Sequence, residues 1–342
     1  MEERREHTSW PTYDWESASP ESQGMNSEIL MHLHAFIQEQ SLPIYAMLIA
    51  RRGRLVFEHY YRGQTARDTQ ALQSATKSVT SALVGMALCK DSLDALDQTL
   101  PDLLPDEHLF ALDEQKRAIT PRHLLTMVSG MDNLLSGRYH FEGHTSFVEA
   151  VFATPLFSPP GQTFRYADPS VEVLAYLLEW VVNTDLLSFA TEQLFRPLGI
   201  STDSQSGFLW EKKPDGRYRG GAGLHLTPRD MAKFGYLYLH EGNWEGQQLI
   251  PSAYVQASTQ AQNRGGWPEE AAYGFLWWIT SLEEHPAFFA AGIGGQFIFV
   301  VPTLDLVVVI SSEDVRRSGD PQKALLARFV LPAIVDDKEK RP

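Results

Sequence analysis

Apolar positions recur at strand spacing near the two ends of the chain and at helical spacing through its middle, so strands are expected first and last with helices between. Pro20 to Gln40 reads as an amphipathic helix with Ile29, Leu30, Leu33 and Phe36 inward. Ile44 to Ala50 and Leu55 to Tyr61 are β runs around Arg51-Arg52-Gly53-Arg54, a hairpin signal. Val79, Leu83, Val84, Met86 and Ala87 then mark a buried helix. Leu100 to Pro105 reads as a proline-punctuated loop, and Thr120-Pro121 as a capped helix start stopped by Ser129-Gly130. Helical spacing continues in Phe147 to Ala153, Val171 to Val182, Leu186 to Phe195, Pro228 to Leu239 and Pro251 to Thr259. Strand character returns in Tyr273 to Ile279, Ala287 to Ala291, Gln296 to Val301 and Leu306 to Ser311, before a closing helix from Gln322 to Val335. The pattern predicts an α+β fold: an antiparallel sheet from both chain ends, flanked by helices, with an inserted mostly helical region. The expected division is 1–115 with 262–342 for the sheet region and 116–261 for the helical one.

Composition narrows the functional classes. The 342 residues are 43% hydrophobic and 11% aromatic, enough for a sizeable core. A formal charge of -14 supplies no basic stripe, which argues against nucleic acid and anionic membranes as partners. The charged start, Met1 to His7, leads into Trp10, Pro11 and Tyr13, so no signal peptide is read and a cytoplasmic location is expected. No apolar run reaches the roughly 18 residues of a membrane span. The single cysteine, Cys89, reads as a core residue and excludes an intrachain disulfide. The histidines lack metal-ligand spacing; His32 and His34 read as solvated on the first helix, and no metal or cofactor is expected.

Candidate chemistry begins at Gln73-Ser74-Ala75-Thr76-Lys77. Residues three apart on a helix share a face, so Ser74 and Lys77 are neighbours. A hydroxyl needs a group to take its proton before it attacks, and a lysine does so only when its pKa is lowered. The bland reading is a solvated lysine on a capped helix. Farther on, Pro159-Pro160-Gly161 turns the chain and delivers Tyr166 on a loop ahead of a helix, either as a core aromatic or, beside a lysine, as a phenol that ionises more easily and serves as general base. Ala291-Gly292-Ile293-Gly294-Gly295-Gln296 places glycines between two strand runs. That is either a simple strand twist or an edge on which substrate lies, with the Gln296 N–H as an oxyanion donor beside that of Ser74.

Together these residues resemble the serine β-lactamase and penicillin-binding protein superfamily, in particular its class C-like branch of esterases and peptidases. Ser74-x-x-Lys77 resembles the nucleophile motif, Tyr166-Ala167-Asp168 the Tyr-x-Asn element, and Ile293-Gly294-Gly295 falls where Lys-Thr-Gly or His-x-Gly would lie. The stretches His123 to Gly130 and Gly221 to Asp230 are also family-like. The resemblance implies a serine hydrolase acting through an acyl-enzyme on Ser74, with Lys77 and Tyr166 as its base. Gln296, Gly295, Gly294, Ile293 and Asp168 would line the oxyanion and substrate site. Two departures matter. Asp168 stands for asparagine and should hold Lys77 charged, which favours Tyr166 as base. Ile293 stands for a cationic or imidazole side chain, which argues against efficient β-lactam hydrolysis and for short esters or amides, as in the family's carboxylesterases and 6-aminohexanoate-dimer hydrolases. Trp267, Trp277 and Trp278 are candidates for an apolar rim. The competing expectations are a DD-peptidase or β-lactamase, and a non-catalytic binding module on the same fold.

Overall fold

Eight antiparallel strands make the main sheet: β1 (Ile44–Arg51), β2 (Arg54–Tyr60), β3 (Asn263–Gly266), β4 (Ala271–Tyr273), β5 (Trp278–Leu282), β6 (His285–Gly292), β7 (Gln296–Val301) and β8 (Leu306–Ser312). Their spatial order is β2-β1-β8-β7-β6-β5-β4-β3, so the first hairpin pairs with the last strand. Ile49 of β1 lies between Phe57 of β2 and Val308 of β8. This computed structural model describes residues 10–88, 93–105, 112–133, 146–313 and 320–335, and Cys89 lies outside them.

Strands β7 and β8 are buried along their whole length because both faces of the sheet are covered. Side chains alternate along β6, so Ala290 and Gly292 share a face with Ile298 and Val300 of β7, while Phe289 points the other way. The main helices are α1 (Ser27–Glu39), α2 (Thr76–Ala87), α3 (Asp168–Val182) and α4 (Pro228–Leu239). Helix α4 lies on the Ile298 face at Gly235, where an added Cβ would stand 2.7 Å from Val307 and 2.9 Å from Ile298. The opposite face carries the stacked rings of Phe289, Phe297 and Phe299, covered from the C-terminal helix by Lys323. Among the described residues no single helix is long and apolar enough to cross a membrane. One bent pair, Asp168–Val182 with Leu186–Phe195, passes on composition, but its apolar residues Val171, Leu174, Leu178 and Leu186 are buried in the core.

Several elements differ from expectation for local reasons. Pro20 to Gln40 is two pieces, a turn over Pro20–Gln23 and α1, because Gly24 adopts φ 68° and Asn26 caps a fresh start. Leu100–Leu103 is a helical turn instead of a loop: proline is tolerated in a first turn, and the Asp102 carboxylate accepts from the Thr99 N–H at 2.7 Å and from its hydroxyl at 2.6 Å. Tyr273 to Ile279 is a hairpin instead of one strand, with Trp278 of β5 paired to Tyr273 of β4. Its apolar residues are buried from Tyr273 to Trp278, which hides the reversal from periodicity. The closing helix runs Asp320–Leu325 and widens to a π turn over Leu326–Val330. A small three-stranded sheet of Gln70–Ala71, Leu224–Leu226 and Leu209–Trp210 was not expected; its two- and three-residue strands are too short to carry a period.

Candidate active site

Ser74 lies in a single 3-10 turn, Gln73–Ala75, that runs directly into α2. Gln73, just before it, is held at φ 49°, a left-handed conformation that side-chain-bearing residues seldom adopt. Helix α2 is buried from Thr76 to Gly85, and its hydroxyls lock its rotation: Ser78 donates to the Leu276 carbonyl and Thr80 to that of Gly220, both at 2.7 Å. Ser74 itself is only half-buried.

The Lys77 ammonium is buried, 1% exposed, and meets three acceptors besides the Tyr166 hydroxyl. These are Ser74 Oγ at 3.0 Å, the Gly221 carbonyl at 2.9 Å and Asp168 Oδ1 at 2.7 Å. An ammonium has three protons and no lone pair, so Lys77 donates to these groups and cannot itself take a proton. Burial opposes the charge, but the Asp168 carboxylate and then Tyr166 outweigh it and push the lysine above its ordinary value. That is the direction expected of Asp168, which favours the charged form of Lys77.

Tyr166 is placed from both sides. Behind it, the chain is laced to residues 127–130: the Phe157 N–H donates to the Gly130 carbonyl at 2.7 Å, Gly161 to Val128 at 2.7 Å, and Arg165 to Met127 at 2.8 Å. This is what the stretch His123 to Gly130 does. In front, Asn133 donates through Nδ2 to the Tyr166 carbonyl at 2.7 Å and accepts through Oδ1 from the Asp168 N–H at 2.8 Å. The Tyr166 ring stacks on Trp278 at 5.5 Å, meets Tyr273 edge-on, and has Lys77 Nζ 5.1 Å from its centre. The phenol was expected to ionise more easily beside a lysine. It does not: burial pushes its pKa up and Asp168 adds to that, while Lys77 and the hydrogen bond to Ser74 pull it only part of the way back.

The third segment adjoins the Ser74 turn at Gly292. A Cβ there would stand 2.1 Å from the Leu72 carbonyl oxygen and 3.1 Å from Gln73 Cβ, so only glycine lets β6 run under the Ser74 turn. The β5–β6 ladder ends at Trp278 opposite Phe289, which leaves the 290–292 edge of β6 beyond it. Gly294 and Gly295 have φ 93° and 89° and form the turn, and the Ile293 side chain is exposed. The Gln296 side chain is turned inward and donates to the Ser312 carbonyl, so it is held away from Ser74 and only its backbone N–H is in question as a donor. From Phe289 to Gln296 the segment has no charged side chain.

A cleft of about 500 Å³ opens beside Tyr166, lined by Asn133, Phe164, Arg165, Gly266 and Trp267 among others. Of the three tryptophans, Trp267 is exposed and lines it, Trp278 backs Tyr166, and Trp277 is buried in the core against Phe234. A second hollow, of about 520 Å³ at Trp180, Arg217 and Tyr218, holds none of the candidate residues. Of the two histidines on α1, His32 is exposed, whereas His34 is half-buried against His59. Among the described residues no three His, Cys, Asp or Glu side chains converge as metal ligands would.

Asn133, Gly221, Glu172 and Gly292 were not picked out as site residues. Glu172, with Glu179 one of two acidic residues in the otherwise apolar run Val171 to Val182, was a legible signal, and Gly292 lay within the glycine stretch already noted.

A family model described as Beta-lactamase matches residues 31–331. The chain belongs to the beta-lactamase family. At that level it is a hydrolase. The 6-aminohexanoate-dimer hydrolase of Paenarthrobacter ureafaciens is 22% identical over 293 residues, covering 77% of this chain and 71% of that one. Among solved structures, a penicillin-binding protein homolog from Caulobacter crescentus superposes with a TM-score of 0.72 at 16% identity, covering 93% and 99% of the two chains. The hydrolase EstCE1, which has promiscuous acyltransferase activity, gives 0.66 at 20% identity over 91% and 98%. The likeness to these structures establishes the α+β fold expected from sequence.

Proposed function

We propose that this protein hydrolyses a small ester or amide lacking an essential carboxylate, by acyl transfer through Ser74. The observation that carries the proposal is the contact of Ser74 Oγ with the buried, triply satisfied Lys77 ammonium, which joins it to Asp168 beneath the Tyr166 phenol. In this reading residues 1–115 with 262–342 supply the nucleophile and the strand edge, and residues 116–261 supply Tyr166, Asp168 and the Gly221 carbonyl.

Tyr166 takes the Ser74 proton as its phenolate and returns it to the leaving group. Lys77 orients both hydroxyls, and its charge steadies the phenolate. Ser74 attacks the carbonyl, and two backbone N–H groups hold the oxyanion, each worth roughly 3 to 4 kcal/mol. One is that of Ser74. The other comes from the turn after Gly292, where the sequence points to Gln296 and the packing of Gly292 on Leu72 favours Ile293. Water then releases the acyl group. The aromatic wall of Tyr166, Phe164 and Trp267 suits an apolar acyl chain. The lack of a cation from Phe289 to Gln296 weighs against substrates that must anchor a carboxylate.

The test is a fluorophosphonate label followed by peptide mapping, with parallel ester, linear amide and cephalosporin panels. Label on Ser74 and turnover of short esters or amides are expected, and Tyr166→Phe should lose most of that turnover. Label elsewhere refutes the nucleophile. Cephalosporin hydrolysis matching the ester rate reverses the substrate order, and no turnover on any panel marks a binding module.

A further inference from the structure

Beyond the four residues of the proposed machinery, one buried ion pair stands close to it. Glu172 and Lys213 meet at 2.8 Å, with side chains 3% and 1% exposed. Taking two charges out of water costs several kcal/mol per ion, and such pairs are often no better for stability than an apolar pair of the same shape. A buried pair beside a reactive centre therefore calls for a purpose other than stability.

Its contacts supply one. Glu172 lies four residues after Asp168, so the same face of α3 presents both. Asp168 takes the Lys77 ammonium directly. Glu172 takes the loop that carries another of the lysine's acceptors: Oε2 accepts from the Gly220 N–H and Oε1 from the Gly221 N–H, each at 3.1 Å. With both N–H groups bound, the Gly221 carbonyl has one direction left, toward Lys77 Nζ at 2.9 Å. From the other side, Thr80 on α2 holds the Gly220 carbonyl. The loop is tightest at Gly220, where a Cβ would stand 2.6 Å from that of Ala175 and 2.8 Å from the Val171 carbonyl oxygen. Lys213, reaching in from a turn closed by Gly216, neutralises the carboxylate so that Glu172 can sit this close without adding an unpaired anion near the lysine.

We propose that Glu172, held by Lys213, is a positioning residue that fixes the Gly221 carbonyl and through it the place and charge of Lys77. The proposal rests on the acyl-transfer reading of Ser74. Lys77 is faced by Ser74 on its own helix turn, by Tyr166 from its loop, by Asp168 from α3 and by the Gly221 carbonyl, with Glu172 behind it. Freeing the carbonyl leaves Asp168 as the main restraint.

The experiment compares the parent, Glu172→Gln/Lys213→Met and Thr80→Val. The double variant removes both charges and keeps the volume; Thr80→Val loosens the same loop without touching a charge. Read out are the rate of Ser74 labelling by a fluorophosphonate, kcat and KM on p-nitrophenyl acetate from pH 6 to 10, and thermal midpoint. Expected is a double variant that melts within a few degrees of the parent but labels Ser74 roughly 10- to 100-fold more slowly, the cost of a slightly misplaced catalytic group. The loss should fall on kcat with KM unchanged, and the rising limb of the pH profile should move. Thr80→Val should show the same change, smaller. Labelling at the parent rate with the parent's pH profile in the double variant overturns the positioning role alone. If the double variant does not fold, Thr80→Val decides, and a parent-like rate there overturns it. Absence of label on Ser74 of the parent overturns the acyl-transfer reading, and this one with it.

Discussion

Asp168→Asn is the sharpest test of how the cluster is charged. The asparagine keeps an oxygen for Lys77 and removes only the negative charge that now stands 2.7 Å from Nζ. At that distance a unit pair in a medium of effective dielectric about 20 attracts by about 6 kcal/mol. The Asp168 side chain is 42% exposed, so solvent screens much of this, and about 1 to 3 kcal/mol is the expected remainder. At 1.36 kcal/mol per unit, that is about 1 to 2 pH units. The direction is the same for both partners. Asp168 holds Lys77 in its charged form, and it also raises the Tyr166 phenol on top of the effect of burial, so removing it lowers both pKa values. Assayed as kcat/KM on p-nitrophenyl acetate from pH 6 to 10, with Ser74→Ala as blank, the rising limb, which reports the Tyr166 phenol, should move toward neutral pH by up to about 1 to 2 units. The variant should also melt a few degrees lower, because a buried ammonium has lost its counter-charge. A limb that stays in place, or moves to higher pH, refutes the charge assignment.

Four further outcomes follow from the same geometry. With the Tyr166 pKa above its ordinary value of about 10, the phenolate is scarce at neutral pH, so kcat/KM of the parent should still be climbing at pH 9; a plateau near pH 7 refutes tyrosine as the base. Lys77 and Tyr166 both bind their protons more tightly folded than unfolded, so the stability they contribute is present below pH ~10 and lost above it, and the urea midpoint should fall there. Gly292→Ala puts a methyl 2.1 Å from the Leu72 carbonyl oxygen and should cost on the order of 100-fold in Ser74 labelling while circular dichroism stays unchanged. Asn133→Ala removes both hydrogen bonds that hold the Tyr166–Asp168 segment and should cost about 1 to 3 kcal/mol in denaturant unfolding, with a fall in kcat larger than any change in KM.

By itself the sequence determined what depends on neighbours along the chain. Ser74 and Lys77 share a helix face because they are three apart, and the apolar period after them already marked the helix as buried. Strands at both ends and helices between likewise follow from period, and Asp168, two residues from Tyr166, announced the charge on Lys77. Where a local signal was ambiguous the reading failed: a proline that starts the turn at Leu100 looks like one that ends a helix, and a run buried continuously from Tyr273 to Trp278 hides a hairpin. Only the tertiary structure decided which groups meet across long separations. The Gly221 carbonyl reaches Lys77 from 144 residues away, Glu172 meets Lys213 from 41, and Gly292 passes under Leu72 because a sheet edge and a loop happen to cross there. The same packing reversed the expectation for Tyr166. A lysine beside a phenol should ease its ionisation, but how far burial opposes that is a property of everything packed around the ring, which no stretch of sequence contains.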